Sequence, residues 1–208
     1  MSTKYVRPSK DESFMEIAES VSMRSTCLRR RYGAVIVSKD GRIVSTGYNG
    51  APRSRDNCID IGTCLREELG VKPGTHYEIC RAVHAEANAI INGNPLEIIG
   101  GTLYLCGTDV ATNAPSKYIT PCAMCERLIL NAQIAKVVMR DQNRNLVEVN
   151  PLDWEDDARL IEEHRRNILG KSSENDTSAH SGNGDDVDSV ITAIKKPSSC
   201  CGGGGCCG

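Results

Sequence analysis

The chain has 208 residues, enough for one domain with a substantial core and too few for two large ones. Its formal net charge of −2 gives no bulk electrostatic pull towards a nucleic-acid polymer or an anionic membrane, while leaving room for a local basic pocket around one phosphate. No apolar run approaches the roughly 20 residues of a membrane span, and Met1 to Lys10 holds no signal-peptide core, so a cytoplasmic protein is expected.

In chain order, Ser9-Lys10-Asp11-Glu12 has the S-x-x-E form of a capping box, and Phe14, Ile17, Ala18 and Val21 follow at helical spacing. This predicts a helix to about Arg24. The β-branched run Gly33 to Val37 predicts a buried strand, Asp40-Gly41 a tight turn, and Ile43 to Tyr48 the returning strand. From Gly47 to about Gly74, glycine, asparagine, proline and charge predict a long functional loop with a helical turn near Leu65 to Leu69. A helix over about Val83 to Ile91 is ended by Asn92-Gly93-Asn94-Pro95. Thr102 to Cys106 predicts a third strand and Thr108 to Thr120 a polar insertion. Pro121 opens a helix to about Asn131, since its missing N–H has no helical partner to lose. Lys136 to Met139 predicts a fourth strand, and Asn150-Pro151 a last helix with Trp154, Ala158, Ile161 and Ile168 on one side. The order α-β-β-α-β-α-β places the chain in the α/β class.

Composition changes at Lys171 to Ser, Asn, Asp and Gly, with too little apolar content to fold. The expected division is a folded domain over 1–170 and a disordered, low-complexity tail over 171–208. That tail carries Cys200, Cys201, Cys206 and Cys207 among glycines but no C-a-a-X box, and no catalytic role is assigned to it.

Without a secretory signal, eleven cysteines point to metal ligation or free thiols rather than disulfides. Cys122 and Cys125 stand three apart at a predicted helix start, where the helix dipole and free N–H groups favour thiolate. With His84 they make three ligands, the number a catalytic zinc takes when its fourth position is kept for water. Zinc brings the pKa of that water to about 7. Glu86, two residues after His84, is placed to carry the proton rather than to ligate. A His-x-Glu pair alone is usually ordinary helix, and a Cys-x-x-Cys alone suits a structural zinc knuckle, which needs a second similar pair. Together, His-x-Glu and Pro-Cys-x-x-Cys form the pattern of zinc-dependent nucleobase deamination.

Over roughly Phe14 to Asn150 the chain resembles the deoxycytidylate (dCMP) deaminases of the cytidine deaminase-like superfamily. The resemblance rests on Ser25-Thr26-Cys27, Tyr32-Gly33-Ala34-Val35-Ile36, Gly47-Tyr48-Asn49-Gly50-Ala51-Pro52, His84-Ala85-Glu86-Ala87-Asn88-Ala89-Ile90 and Pro121-Cys122-Ala123-Met124-Cys125. The zinc motif is shared with tRNA adenosine, guanine and riboflavin-pathway deaminases; the Gly47 to Pro52 loop and the cysteines before His84 narrow the choice. The resemblance implies a cytidine deaminase-like three-layer α-β-α sandwich with a mixed central sheet, and a homo-oligomer, commonly a hexamer. It implies dCMP plus water giving dUMP plus ammonia on the way to dTMP, with dCTP and dTTP as effectors near the Gly47 to Pro52 loop. Glu86 is then the catalytic proton carrier and His84, Cys122 and Cys125 hold one catalytic Zn2+.

Two departures stand out. The family often has glycine two residues after the loop proline, where this chain has Ser54 between Arg53 and Arg55, and the insertion before Pro121 is longer than in many members. Some members also hold a structural zinc in the regions of Cys27, Cys58, Cys64 and Cys80, with His76 a rival ligand for Cys80, whereas cysteines of irregular spacing also fill core gaps. By position, Asn49 and Tyr118 are candidate nucleotide contacts. The readings left open are another nucleobase or tRNA adenosine as substrate, and a zinc-binding homologue without catalysis. The near-neutral charge weighs against a tRNA substrate. A part in DNA uptake has no chemical support in these residues.

Overall fold

The computed structural model describes residues 6–72, 75–117 and 119–154. The boundary at residue 170, the tail and all but the opening of the last predicted helix lie outside the described residues. Helix α1 (Lys10–Ser22) starts as the capping box predicts, with the Ser9 hydroxyl accepting from the Glu12 N–H at 3.0 Å. The Glu12 carboxylate turns to buried Arg140 at 2.7 Å, tying α1 to the sheet.

Strands β1 (Arg30–Val37), β2 (Ile43–Tyr48), β3 (Thr102–Asp109), β4 (Lys136–Arg140) and β5 (Leu146–Val149) form one mixed sheet in the order β2-β1-β3-β4-β5. Only β3 and β4 are parallel, joined through α6 (Ala123–Asn131); the other neighbours are antiparallel. Successive side chains leave opposite faces of a strand, and the core divides accordingly. Val35, Val37, Tyr104, Cys106 and Val138 meet Met15 and Ala18 of α1 on one face. Ala34, Ile36, Leu103, Leu105, Val137 and Met139 meet α4 (Ala85–Asn92), α5 (Pro95–Ile98) and α6 on the other. The result is the expected three-layer α-β-α sandwich. With both faces covered, the strands read as unbroken apolar runs rather than alternating ones.

Several local expectations need correction. Pro121 is not the first residue of α6: Cys122 is its N-cap, with extended backbone (φ −78°, ψ 161°), so the proline precedes the helix. The insertion begins later than Thr108, because Thr108 and Asp109 continue β3 by pairing with Arg31 and Arg30. β5 was not expected; its four residues follow a turn whose Asp141 carboxylate accepts from the Asn145 N–H at 2.7 Å. The loop after β2 holds α2 (Cys58–Ile61) as well as α3 (Leu65–Glu68), and past Gly93, which ends α4 where expected, Asn94-Pro95 starts the unexpected α5. No helix among the described residues is long and apolar enough to cross a membrane.

Candidate active site

Helices α4 and α6 lie on the same face of the sheet and bring their N-terminal ends to one point. His84 is the N-cap of α4, Cys122 the N-cap of α6, and Cys125 lies in the first turn of α6. His84 Nδ1 lies 3.4 Å from both the Cys122 and the Cys125 Sγ. A tetrahedral zinc with ordinary Zn–S and Zn–N bond lengths needs a sulfur-to-nitrogen edge of roughly 3.5 Å. The ligand atoms of these three residues all lie within 4.8 Å of one another, and no other group of three among the described residues does so. The donor set, its two sulfur-to-nitrogen edges and its three-ligand count therefore fit a zinc ion that keeps one position open.

The placement of α4 is written in β2. Ser45 Oγ donates to the Ala89 carbonyl at 2.7 Å, and Asn88 Nδ2 donates to the Tyr48 carbonyl at 2.7 Å. At Gly47 the helix backbone touches the strand, for a Cβ there would lie 2.2 Å from Ala85 O and 2.3 Å from Ala89 N. Just beyond, Gly50 and Val83 exchange a pair of backbone hydrogen bonds at 3.1 and 2.8 Å, fixing the residue before His84. The loop Gly47 to Pro52 is thus attached directly to the ligand-bearing helix. Two residues past its proline, Ser54 holds φ +63°, in the left-handed region that favours glycine. This gives a physical reason for the glycine common there in the resembling family.

The electrostatics belong to a thiolate centre. The Cys125 thiol donating to Cys122, with burial opposing and His84 assisting, holds Cys122 down to about 4. The same bond pushes Cys125 up, reinforced by burial and the Glu86 charge. Burial works against a charged His84, but bonds to Cys122 and Cys80 and the charge of Glu86 push it up to about 10. Glu86 is 5% exposed, and burial pushes its carboxyl above the usual carboxylate range against the pull of His84.

This centre opens into a cavity of about 430 Å3 whose wall includes Arg29, Arg30, Tyr32, Asn49 and Thr120. The Tyr32 hydroxyl lies 3.0 Å from Ser116 Oγ, and burial pushes its pKa up to about 12. Gly107 makes room for that ring, since a Cβ there would come within 2.4 Å of it. Asn49 is buried on the cavity wall. Its Oδ1 accepts from the Tyr32 N–H at 2.7 Å and its Nδ2 donates to the Arg30 carbonyl at 2.9 Å. The other candidate nucleotide contact, Tyr118, lies outside the described residues.

The four upstream cysteines are free thiols gathered on one side of the cavity. Cys27, Cys64 and Cys80 are on its wall, and buried Cys58 opens α2 behind them. Cys58 feels the charges of the other three, but the four sulfurs do not close to ligand distances. Sequence reading passed over Arg66 and Tyr77, also on the wall, because a charged and an aromatic residue in a polar loop carry no periodic signal.

Fold and site together define a layered α/β protein with a His-Cys-Cys group able to hold a metal ion at paired helix starts and a carboxylic acid beside it. Residues 8–140 match the model of the cytidine and deoxycytidylate deaminase zinc-binding region, and the chain belongs to that family of deaminases. Similar chains include the deoxycytidylate deaminase of Mycobacterium phage D29, 40% identical over 137 residues covering 64% of this chain and 94% of that one. Those of Schizosaccharomyces pombe and Homo sapiens are 34% and 33% identical over 64% and 61% of this chain. The match spans 37% of the yeast protein's length and 62% of the human one's. Among solved structures, dCMP deaminase from the cyanophage S-TIM5 in complex with dCMP and dUMP is 28% identical, with TM-score 0.44, over 64% of this chain and 82% of that one.

Proposed function

We propose that the chain is a zinc-dependent hydrolase that converts dCMP and water to dUMP and ammonia, a step supplying the precursor of dTMP. The observation that carries this reading is the His84–Cys122–Cys125 group, with both sulfur-to-nitrogen edges near the tetrahedral length, and the buried Glu86 carboxyl beside it. Curated relatives sharing the matched region bear the name deoxycytidylate deaminase and support the choice of substrate.

His84 Nδ1 and the two Cys Sγ atoms hold the metal, which when bound supplies Lewis-acid activation of water. Glu86 accepts the proton lost as water attacks C4 of the cytosine ring, passes it to N3, and then protonates the departing amino group. The new hydroxyl on C4 gives its remaining proton to Glu86, which hands it to the amino group; C4 ends with a C=O bond in place of its C–NH2 bond, so of water's two protons one stays on N3 and one leaves in ammonia. A carboxyl raised by burial is suited to both directions of this transfer, because its affinity for the proton lies nearer that of its partners. On the cavity wall, Arg29 bonds Glu67 through Nε at 3.0 Å, so its Nη groups are the donors offered to the substrate's phosphate.

A panel of dCMP, deoxycytidine, cytidine, dCTP, guanine and tRNA adenosine, assayed for ammonia release at fixed zinc, tests the reading. The expected result is turnover of dCMP with kcat/KM roughly 10- to 100-fold above deoxycytidine, the loss of a charged phosphate contact. Faster release from guanine or tRNA adenosine overturns the substrate, and no release from any of them overturns the enzyme. A homo-oligomer, a hexamer in the family reading, and control by dCTP and dTTP belong to the same proposal. Sedimentation of the purified protein and the same assay with each effector added test them.

Because Cys27, Cys58, Cys64 and Cys80 do not close on a point, the purified protein is expected to carry one zinc per chain. Elemental analysis giving two would show that these thiols close on a second ion.

A further inference from the structure

We propose that Arg66 is a positioning residue for His84 and acts on it through Tyr77; the inference rests on the reading of His84 as a zinc ligand. Helix α3 inverts the usual order of burial. Leu65 and Leu69 are 45% and 50% exposed, while Arg66 between them is 5% exposed. Burying a guanidinium is costly unless its surroundings repay it, yet no carboxylate among the described residues pairs with Arg66. What it has instead are two backbone carbonyls and a ring. Nη2 donates to Thr75 O at 2.7 Å and to Lys72 O at 3.2 Å, and the guanidinium carbon stands 4.4 Å from the centre of the Tyr77 ring. Nε is buried without a partner, so the side chain is not placed to satisfy its own donors.

The far side of this contact is the metal centre. The Tyr77 and His84 rings are 5.3 Å apart and perpendicular, at 89°. In that geometry one ring's positive edge meets the other's negative face, and either ring can turn only by losing the contact. His84 reaches the two sulfurs through Nδ1, so the orientation of its imidazole decides whether that nitrogen sits at the third corner of the site. Arg66 fixes Tyr77 by stacking over it and by holding the carbonyls of residues 72 and 75, just before the 3-10 turn Tyr77–Ile79. The chain of contacts runs from guanidinium to phenol ring to imidazole. It does for His84 what a hydrogen-bonded neighbour does for the histidines of many metal sites, whose loss weakens metal binding by 10- to 100-fold.

The test compares Arg66→Met, Arg66→Lys, Tyr77→Phe, Tyr77→Leu and the double variant Arg66→Met/Tyr77→Leu in the full chain. Zinc affinity is read by competition with a chelator, the ligand field by the visible absorption of the cobalt(II)-loaded protein, and folding by thermal melting. Arg66→Met is expected to lose zinc affinity by roughly 10- to 100-fold, with shifted cobalt bands. Tyr77→Leu should reproduce both effects, and Tyr77→Phe, which keeps the ring, should retain the affinity and the spectrum. The double variant should be no worse than the poorer single one, because both cut the same chain of contacts. Folded Arg66→Met with unchanged affinity and spectrum overturns the proposal, as does a double variant whose losses multiply. Should Arg66→Met not fold, Tyr77→Leu and Arg66→Lys decide: unchanged metal binding in Tyr77→Leu overturns it. A wild-type chain that binds no zinc would instead mark the failure of the deaminase reading.

Discussion

Replacing Glu86 with Gln is expected to lower kcat for dCMP by about 10²- to 10⁴-fold, the range a positioned proton carrier contributes, while zinc content and melting temperature stay near those of the wild type. The amide has the shape of the carboxyl and fills the same buried space, so packing against the start of α4 is preserved. What it lacks is a site that accepts a proton and returns it. The proposed reaction needs two such transfers, to the ring nitrogen and to the leaving amine, and no other acid among the described residues is as deeply buried beside His84, Cys122 and Cys125. Glu86 lies outside the group whose ligand atoms converge, so losing its charge should not release the ion. Steady-state kinetics combined with elemental analysis of the same preparation separates the two effects. Full turnover in Glu86→Gln would mean the proton travels by another route. Lost zinc would mean that Glu86 is part of the metal centre.

The expected outcome for Glu86 was open to reasoning from the sequence because the chemistry is local. Two helix starts, each with a candidate ligand at or near the cap, can be seen in residue spacing, and the same periodicity that places Ala85, Ala89 and Ile129 in the core turns the caps towards each other. The sheet's buried strands were legible for the same reason, as short β-branched runs bounded by turns. What could not be read was whatever depends on a distant partner. β5 exists because Val137 and Met139 offer it a pairing edge across a five-residue turn, not because Leu146 to Val149 is strongly strand-forming. The single-turn helices α2 and α5 are too short for a period to register. Arg66 is the sharpest case: nothing in a polar loop marks an arginine for burial, and the contact with Tyr77 that accompanies it is not visible in residue spacing.

Gly47→Ala should inactivate the protein out of proportion to its loss of stability, and Gly33→Ala is the matched comparison. Each glycine lies in the sheet where a helix backbone approaches too closely for a side chain. A Cβ at Gly33 would meet Ala18 O at 2.1 Å and Ser22 N at 2.6 Å in α1, and one at Gly47 would meet Ala85 O and Ala89 N in α4 at 2.2 and 2.3 Å. Backbone cannot move aside as a flexible side chain can, so in both variants the helix is displaced, at the ~1–3 kcal/mol cost usual for overpacking. For a domain of this size that is a fall of several degrees in melting temperature. The two displaced helices differ in what they carry. α1 bears no residue of the cavity wall, while α4 is capped by His84 and presents Glu86 in its first turn. A shift of about 1 Å between a reacting group and its substrate is enough to cost roughly 10²-fold in rate. Assayed well below both melting temperatures, Gly33→Ala should therefore keep most of its kcat. Gly47→Ala should lose about two orders of magnitude, and zinc should leave it more readily on dialysis against chelator. Equal loss of activity in the two variants would show that α4's seat on β2 matters only for folding. The Gly47 contact would then have no bearing on how His84 and Glu86 are held.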